Sequence, residues 1–123
     1  MSMKPGQLLF LITLLLLGLA GCNEAYKGNP IPKDFLGSSA ADIFVLDSIV
    51  YSNAQDIEWV NELTYSLGEQ VGKVTKQTDI AAEFKSGTAN KLPVGTKIYE
   101  TDTPVYIVIV GGKEIPYIGM YEG

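Results

Sequence analysis

The chain has 123 residues with 9 basic and 14 acidic side chains, and it contains no histidine and no arginine. Without histidine, Ser-His-Asp and Cys-His catalytic sites and histidine-based zinc sites are excluded, and a single cysteine excludes an internal disulfide. The net charge of −5 also argues against nucleic acid as a partner, because cationic contacts to phosphate dominate that affinity. The length is sufficient for one domain.

The N-terminus combines a basic start with an uncharged apolar run. Lys4 precedes residues 8–19, and small residues follow this run, which is typical of a secretory signal peptide. A retained membrane anchor is one alternative, but a bilayer-spanning helix needs about 20 apolar residues. An ordinary signal peptide cleaved at an Ala-x-Ala site is another alternative, but no such triplet follows the run.

The four residues Leu19, Ala20, Gly21 and Cys22 resemble the lipobox of bacterial lipoproteins. The resemblance implies a diacylglycerol on the Cys22 sulfur, removal of residues 1–21, and attachment to the cell membrane facing outside the cytoplasm. We expect no cofactor other than this covalent lipid. Cleavage would also remove Lys4 and make the charge one unit more negative. An anionic membrane surface would therefore mildly repel the acidic body.

Residues 22–37 are predicted to be a lipidated tether. Pro30 and Pro32 lack backbone donors and favour extended backbone, and the nearby glycine and asparagine residues interrupt regular structure. A single β-rich domain is expected to begin near Ser38 and to include the remainder of the chain. Such a tether would hold the domain away from the bilayer.

The domain is predicted to begin with a β-hairpin. Ile43–Leu46 and residues 49–52 are β-prone runs separated by the turn residues Asp47 and Ser48. Asn53 then has the character of a helix N-cap, and apolar residues at helical spacing predict a helix to about Leu63, ended by Gly68.

The middle of the chain carries weaker signals. Residues 70–77 predict one half-exposed strand, and residues 79–90 leave open whether residues 80–84 form a helical turn or part of a surface loop. A type I turn is predicted with Pro93 at its second position and Gly95 at its fourth, followed by a strand over residues 96–100.

The C-terminal region has the clearest pattern. Val105–Val110 is β-branched or aromatic throughout, which predicts a strand buried on both faces. A tight turn at Gly111 and Gly112 leads to a partner strand over residues 113–121, with Pro116 indicating a sheet edge or a bulge. We predict an α+β fold, with a small antiparallel sheet or open β-barrel of four to six strands and one short helix.

Three segments of the mature chain resemble small uncharacterised lipoproteins of Gram-positive, Bacillus-like bacteria. These segments are residues 41–60, 91–101 and 108–123. The resemblance implies an extracytoplasmic location and one β-rich domain, and it implies no activity, ligand or catalytic residue.

Carboxylates are the remaining candidates for chemistry. Glu58 and Glu62 lie one helical turn apart, and Glu100 and Asp102 flank a predicted turn between strands. Such pairs are suited to acid–base catalysis or to calcium binding. The alternative interpretations are a solvated helix face for the first pair and a charged strand end for the second. No metal site is predicted.

Trp59, Tyr99 and Tyr117 are candidates for a recognition surface, since aromatic residues are enriched at binding hot spots. Packing within the core is the alternative for each of them. Two functions follow as hypotheses. One is a non-enzymatic domain that binds an envelope protein or polymer, and the other is a carboxylate-dependent envelope hydrolase with two converging acidic side chains.

Overall fold

The computed structural model describes residues 28–122, so the predicted signal peptide, lipobox and Cys22 lie outside the described residues. The elements are α1 (Lys33–Leu36), β1 (Ile43–Leu46), β2 (Ile49–Asn53), α2 (Glu58–Asn61), β3 (Leu67–Lys73), β4 (Lys76–Gln77), a 3₁₀ turn (Ala81–Glu83), β5 (Thr88–Ala89), β6 (Lys97–Thr101), β7 (Val105–Val110) and β8 (Lys113–Gly119). Among these described residues, none of the helices has the length and apolarity needed to cross a bilayer.

The strands form one sheet in the order β3-β6-β7-β8-β2-β1-β5-β4. All neighbours are antiparallel except β4 and β5, which are parallel. Only residues 74–75 separate the two edge strands β3 and β4 in the chain. Val74 N–H donates to the Thr96 carbonyl and Thr75 N–H to the Gly87 carbonyl, each at 2.8 Å. The sheet therefore curls into a half-barrel whose edges meet at Val74.

The β-rich fold is confirmed, but the strand count of four to six and the single helix are wrong. The described chain has eight strands in a mixed sheet and two short helices. Strands β4 and β5 have two residues each, which is too short for an alternating pattern to reveal them.

Both predicted hairpins are confirmed, and positive backbone φ angles make their turns. Asp47 and Ser48 have φ of 50° and 67° between β1 and β2, and Gly111 and Gly112 have φ of 60° and 79° between β7 and β8. Positive φ at both central residues is the requirement of a type I′ turn, whose twist matches that of the strands.

One apolar cluster draws on nearly the whole sheet and therefore lies on its concave face. It centres on Phe44, whose ring lies 5.0 Å from the rings of both Tyr51 and Tyr117. Its other buried members are Leu46, Val74, Ala89, Leu92, Ile98 and Val108. This cluster forms the principal core.

Two smaller clusters cover the convex face, because alternate strand residues point outwards. One packs beneath α2 and contains Val60, Val105 and Ile107. The other packs Phe35 and Leu36 of α1 against β1 and β2. Residues of β7 thus contact clusters on both faces, which confirms the predicted burial of this strand.

The helix α1 changes the predicted tether. Its apolar side chains and the buried Pro32 belong to the folded body, so that body begins before Ser38. Within the segment predicted as a tether, residues 33–36 thus form a helix, and Phe35 and Leu36 pack against the cluster of Ile43, Val45 and Val50.

The helix after β2 is shorter than predicted. Asn53 is the last residue of β2, and its Oδ1 accepts the Gln55 N–H at 2.8 Å, which makes a local turn instead of a helix cap. The helix begins at Glu58 and ends at Asn61, and Gly68 lies within β3. The predicted N-cap and the predicted stop are therefore wrong.

Two further predictions need correction in the middle of the chain, and one that was left open is resolved. Residues 70–77 belong to two strands, β3 and β4, because the chain passes from one sheet edge to the other there. Residues 80–84 contain a 3₁₀ turn. The turn bond joins Thr96 N–H to the Pro93 carbonyl at 3.2 Å, so Gly95, with φ of 98°, occupies the third position, as in a type II turn.

Pro116 lies in β8, an interior strand with continuous register to β7, so the predicted edge or bulge is wrong. Its carbonyl accepts the Ala54 N–H at 2.9 Å. In an antiparallel strand, the N–H and C=O of one residue point to the same side. The side of Pro116 on which an N–H would lie therefore faces the segment just after β2, whose last paired residue is Asn53. No ladder bond is lost there.

Candidate functional site

A pocket of about 180 Å³ lies between α2, the loop after α2, and the convex face of β7 and β8. Eight residues line it: Val60, Asn61, Leu63, Tyr65, Val105, Ile107, Glu114 and Pro116. We call it the α2 pocket. It is the site in the described part of the chain that best combines an apolar interior with polar groups at the rim.

The floor of the α2 pocket is apolar and rigidly placed. Val105 and Ile107 are alternate residues of β7 and are at most 1% exposed, so both point to the same side of the sheet. Pro116 lies opposite Ile107 in β8. Val60, the buried residue of α2, closes one side. A central strand pair therefore lies beneath the pocket, and the half-buried Pro116 provides accessible apolar surface there.

The rim carries a hydrogen bond from the Tyr65 hydroxyl to Oε1 of Glu114. This bond, followed by partial burial and by the charge of Glu114, raises the pKa of Tyr65 to about 12. The phenol consequently remains a protonated donor at neutral pH. Tyr65 thus holds the Glu114 carboxylate at the mouth of the pocket.

Two polar contacts fix the segment that carries Tyr65. The backbone N–H of Ser66 donates to Oδ1 of Asp102 at 2.8 Å. Nδ2 of Asn61 donates to the carbonyl of Gln55 at 2.9 Å. The chain is therefore anchored on both sides of Tyr65, which limits the positions available to the phenol.

None of the four predicted acidic residues lines the α2 pocket. Glu58, in α2, and Glu62, directly after it, are exposed, and Asp102 is exposed and bound to the Ser66 backbone. Glu100 is half-buried in β6 near Gly68. Within residues 28–122, no three acidic, cysteine or histidine side chains come together as a metal site would require.

The three predicted aromatic residues have different environments. Trp59 is 50% exposed on α2 and remains available to a partner. Tyr99 is half-buried in β6. Tyr117 is fully buried among Phe44 and its neighbours, so its assignment to a recognition surface is wrong. A side chain with no exposed surface cannot contact a partner.

The edge strand β3 is a poor alternative surface for a partner strand. Its residues are mostly exposed, but its pairing with β6 shifts register twice, and it carries Glu69 and Lys73. Bulges and charged side chains discourage strand addition at a sheet edge.

A second groove lies between α1 and the 3₁₀ turn, with a volume of about 450 Å³ and a wide opening. Ile31, Pro32, Ala81, Ala82 and Phe84 give it an apolar surface, and Lys33 is its charged residue. It lacks polar groups directed at a common point, so it offers less specific recognition than the α2 pocket.

Sequence reasoning did not identify Tyr65 and Glu114. They are 49 residues apart in the chain, and neither lies in a recognisable motif. They come together only because the loop after α2 packs across β8. The comparisons add no assignment, since no family model, curated protein or solved structure matches the chain.

Proposed function

We propose that the protein is a lipid-anchored extracytoplasmic lipoprotein whose domain is a non-enzymatic binding module. Residues 19–22 and the resemblance to small Gram-positive lipoproteins support the anchor at Cys22. The α2 pocket supports the binding role and is the observation on which that role rests. The expected partner is an envelope protein or polymer that inserts one group into the pocket.

The size of the pocket supports the insertion of one side chain. Pockets that bury a drug-sized ligand measure about 300–1,000 Å³, whereas a cavity of about 150 Å³ holds a benzene molecule. At about 180 Å³, the α2 pocket matches a single side chain or a similar small group. A larger partner would contribute the rest of its contacts around the rim, where Trp59 is half-exposed.

The chemistry of the pocket favours binding over hydrolysis. Carboxylate-dependent hydrolysis uses two acidic groups on either side of the bond that breaks, whereas one carboxylate, Glu114, lines this pocket. The hydrogen bond from Tyr65 already occupies one oxygen of that carboxylate. A fixed, partnered acceptor is suited to recognition.

Site-specific crosslinking in cells tests the binding role. A photoreactive residue replaces Asn61 in the pocket, and the matched control carries it at Val94, which is 63% exposed and lines neither the α2 pocket nor the groove beside α1. We expect one stoichiometric adduct from position 61 and none from position 94. Equal adducts from both positions, or none from position 61, would contradict a partner at the pocket.

A parallel experiment tests the anchor. We expect Cys22→Ala to abolish labelling by radioactive palmitate and to leave the precursor uncleaved. The matched control is Ser2→Ala, a substitution within the predicted signal peptide, which should be labelled normally. Labelled and processed Cys22→Ala protein would overturn the anchor.

A further inference from the structure

We propose that the α2 pocket recognises a primary ammonium group on an alkyl chain, as in a lysine side chain presented by the partner. This inference rests on the proposed binding function and names its ligand class. It combines the apolar floor, the position of one carboxylate at the rim, and the charge of the surrounding elements.

The floor suits the alkyl part of such a group. The half-buried Pro116 and Leu63 present carbon surface, with Val105 and Ile107 buried in the floor. Long cationic side chains bury their methylene groups on apolar surface while the charged end stays near water. The pocket has this arrangement, since its floor is buried and its polar residues lie at the mouth.

The rim suits the ammonium end. Glu114 accepts one hydrogen bond, from Tyr65, and a carboxylate has about four acceptor positions. An ammonium group has three donors and no acceptor, so it complements the remaining positions on Glu114. Because the phenol is a neutral donor, it orients the carboxylate without cancelling its charge.

The neighbouring charges also select a cation. Every charged residue between β2 and Tyr65 is acidic: Asp56, Glu58 and Glu62. No charged residue occurs in β7. Lys113 is adjacent to Glu114, but successive strand residues point to opposite faces, so its side chain leaves from the other side of β8. An anionic ligand would meet Glu114 without a compensating charge.

Titration with three probes of equal chain length tests this ligand class: n-pentylammonium, n-pentanol and pentanoate. The lipidated protein in detergent micelles is followed by NMR, through the backbone amides of residues 60–65 and 114–116. We expect the ammonium to bind about tenfold more tightly than the alcohol, the usual order for a hydrogen bond to a charged group, and pentanoate to bind least.

Matched variants identify the group responsible. Glu114→Gln retains an acceptor for Tyr65 and removes the charge, and we expect it to abolish the preference for ammonium over alcohol. Glu69→Gln removes the same charge from an exposed position in β3 outside the pocket and should change that preference less than about twofold. Unchanged amide spectra of the free variants would show that both are folded.

The outcomes separate this inference from the proposed function. Equal binding of pentanol and pentylammonium, or an unchanged preference in Glu114→Gln, would overturn ammonium recognition. If position 61 still crosslinks to a partner in that case, the binding role stands and the ligand class fails. If no probe binds and no crosslink forms, both fail.

Discussion

The hydroxyl of Tyr117 donates to Oδ1 of Asp42 at 2.7 Å and so joins β8 to the residue before β1, across 75 positions of sequence. Oδ2 of the same carboxylate accepts Nδ2 of Asn53 at 2.9 Å. Burial, together with this contact to Asp42, raises the pKa of Tyr117 above its usual range. The contact therefore satisfies the one polar atom of a fully buried aromatic side chain.

The first prediction concerns this contact. We expect Tyr117→Phe to lower the free energy of unfolding by about 2 kcal/mol, because a hydrogen bond to a charged group contributes about 1.5–3 kcal/mol. Urea denaturation measures the change. Tyr99→Phe is the control, since Tyr99 is a half-buried tyrosine of β6 that takes no part in the Asp42 contact. Equal losses in the two variants would show that the Asp42 contact contributes nothing specific.

The second prediction concerns the pH dependence of Tyr65. Folding raises its pKa from 10.0 to about 12, so the interaction with Glu114 stabilises the fold fully below pH 10 and is lost as the pH rises towards 12. We expect the difference in stability between wild type and Tyr65→Phe to disappear over this interval.

Phenolate absorbance measures the same group directly. When the alkaline titration curve of Tyr65→Phe is subtracted from that of wild type, one phenolate transition near pH 12 should remain. In Glu114→Gln, the transition of Tyr65 should move towards pH 10. A transition that stays in place in Glu114→Gln would contradict the assigned cause of the shift.

Local sequence signals predicted the hairpins, whereas the strands that were not predicted depend on long-range contacts. Gly111 and Gly112 specify their turn without help from the rest of the chain, and the apolar run of β7 identifies its strand. By contrast, β5 has two residues and exists because Phe44 pairs with Ala89. Nothing within a two-residue segment encodes such a pairing.

The candidate site was less predictable than the fold. The sequence directed attention to acidic pairs close together in the chain, but Glu58 and Glu62 point to solvent and Asp102 binds a backbone amide. The carboxylate that lines the pocket, Glu114, meets Tyr65 only after β8 and the α2 loop have packed. Spacing along one element cannot reveal a pair made by two elements.

The third prediction separates backbone strain from steric clash at two glycines with similar backbone geometry. Gly87 and Gly95 have φ of 94° and 98°. A Cβ at Gly87 would lie 2.7 Å from Oγ1 of Thr75, whereas a Cβ at Gly95 meets no atom within 4 Å. We expect Gly95→Ala to cost about 1–2 kcal/mol from the positive φ alone, and Gly87→Ala to cost at least about 1 kcal/mol more.

Urea denaturation of both alanine variants measures this difference. A double variant, Gly87→Ala with Thr75→Ala, removes the hydroxyl that the new Cβ would meet. It should recover part of the stability that Gly87→Ala loses, whereas Thr75→Ser would keep the hydroxyl and the clash. If the two single alanine variants lose the same stability, the close approach to Thr75 has no energetic consequence.

The fourth prediction distinguishes a structural role of Asp102 from a catalytic one. Oδ1 of Asp102 accepts the Ser66 N–H beside Tyr65, and asparagine retains that acceptor whereas alanine does not. We expect Asp102→Ala to lower the free energy of unfolding by about 1 kcal/mol and to weaken pentylammonium binding, since the Tyr65 segment loses an anchor. Asp102→Asn should retain most of both properties. Equal loss of cellular function in the two variants, with the fold and the pocket intact, would instead indicate that the charge of Asp102 acts directly, as the hydrolase hypothesis requires.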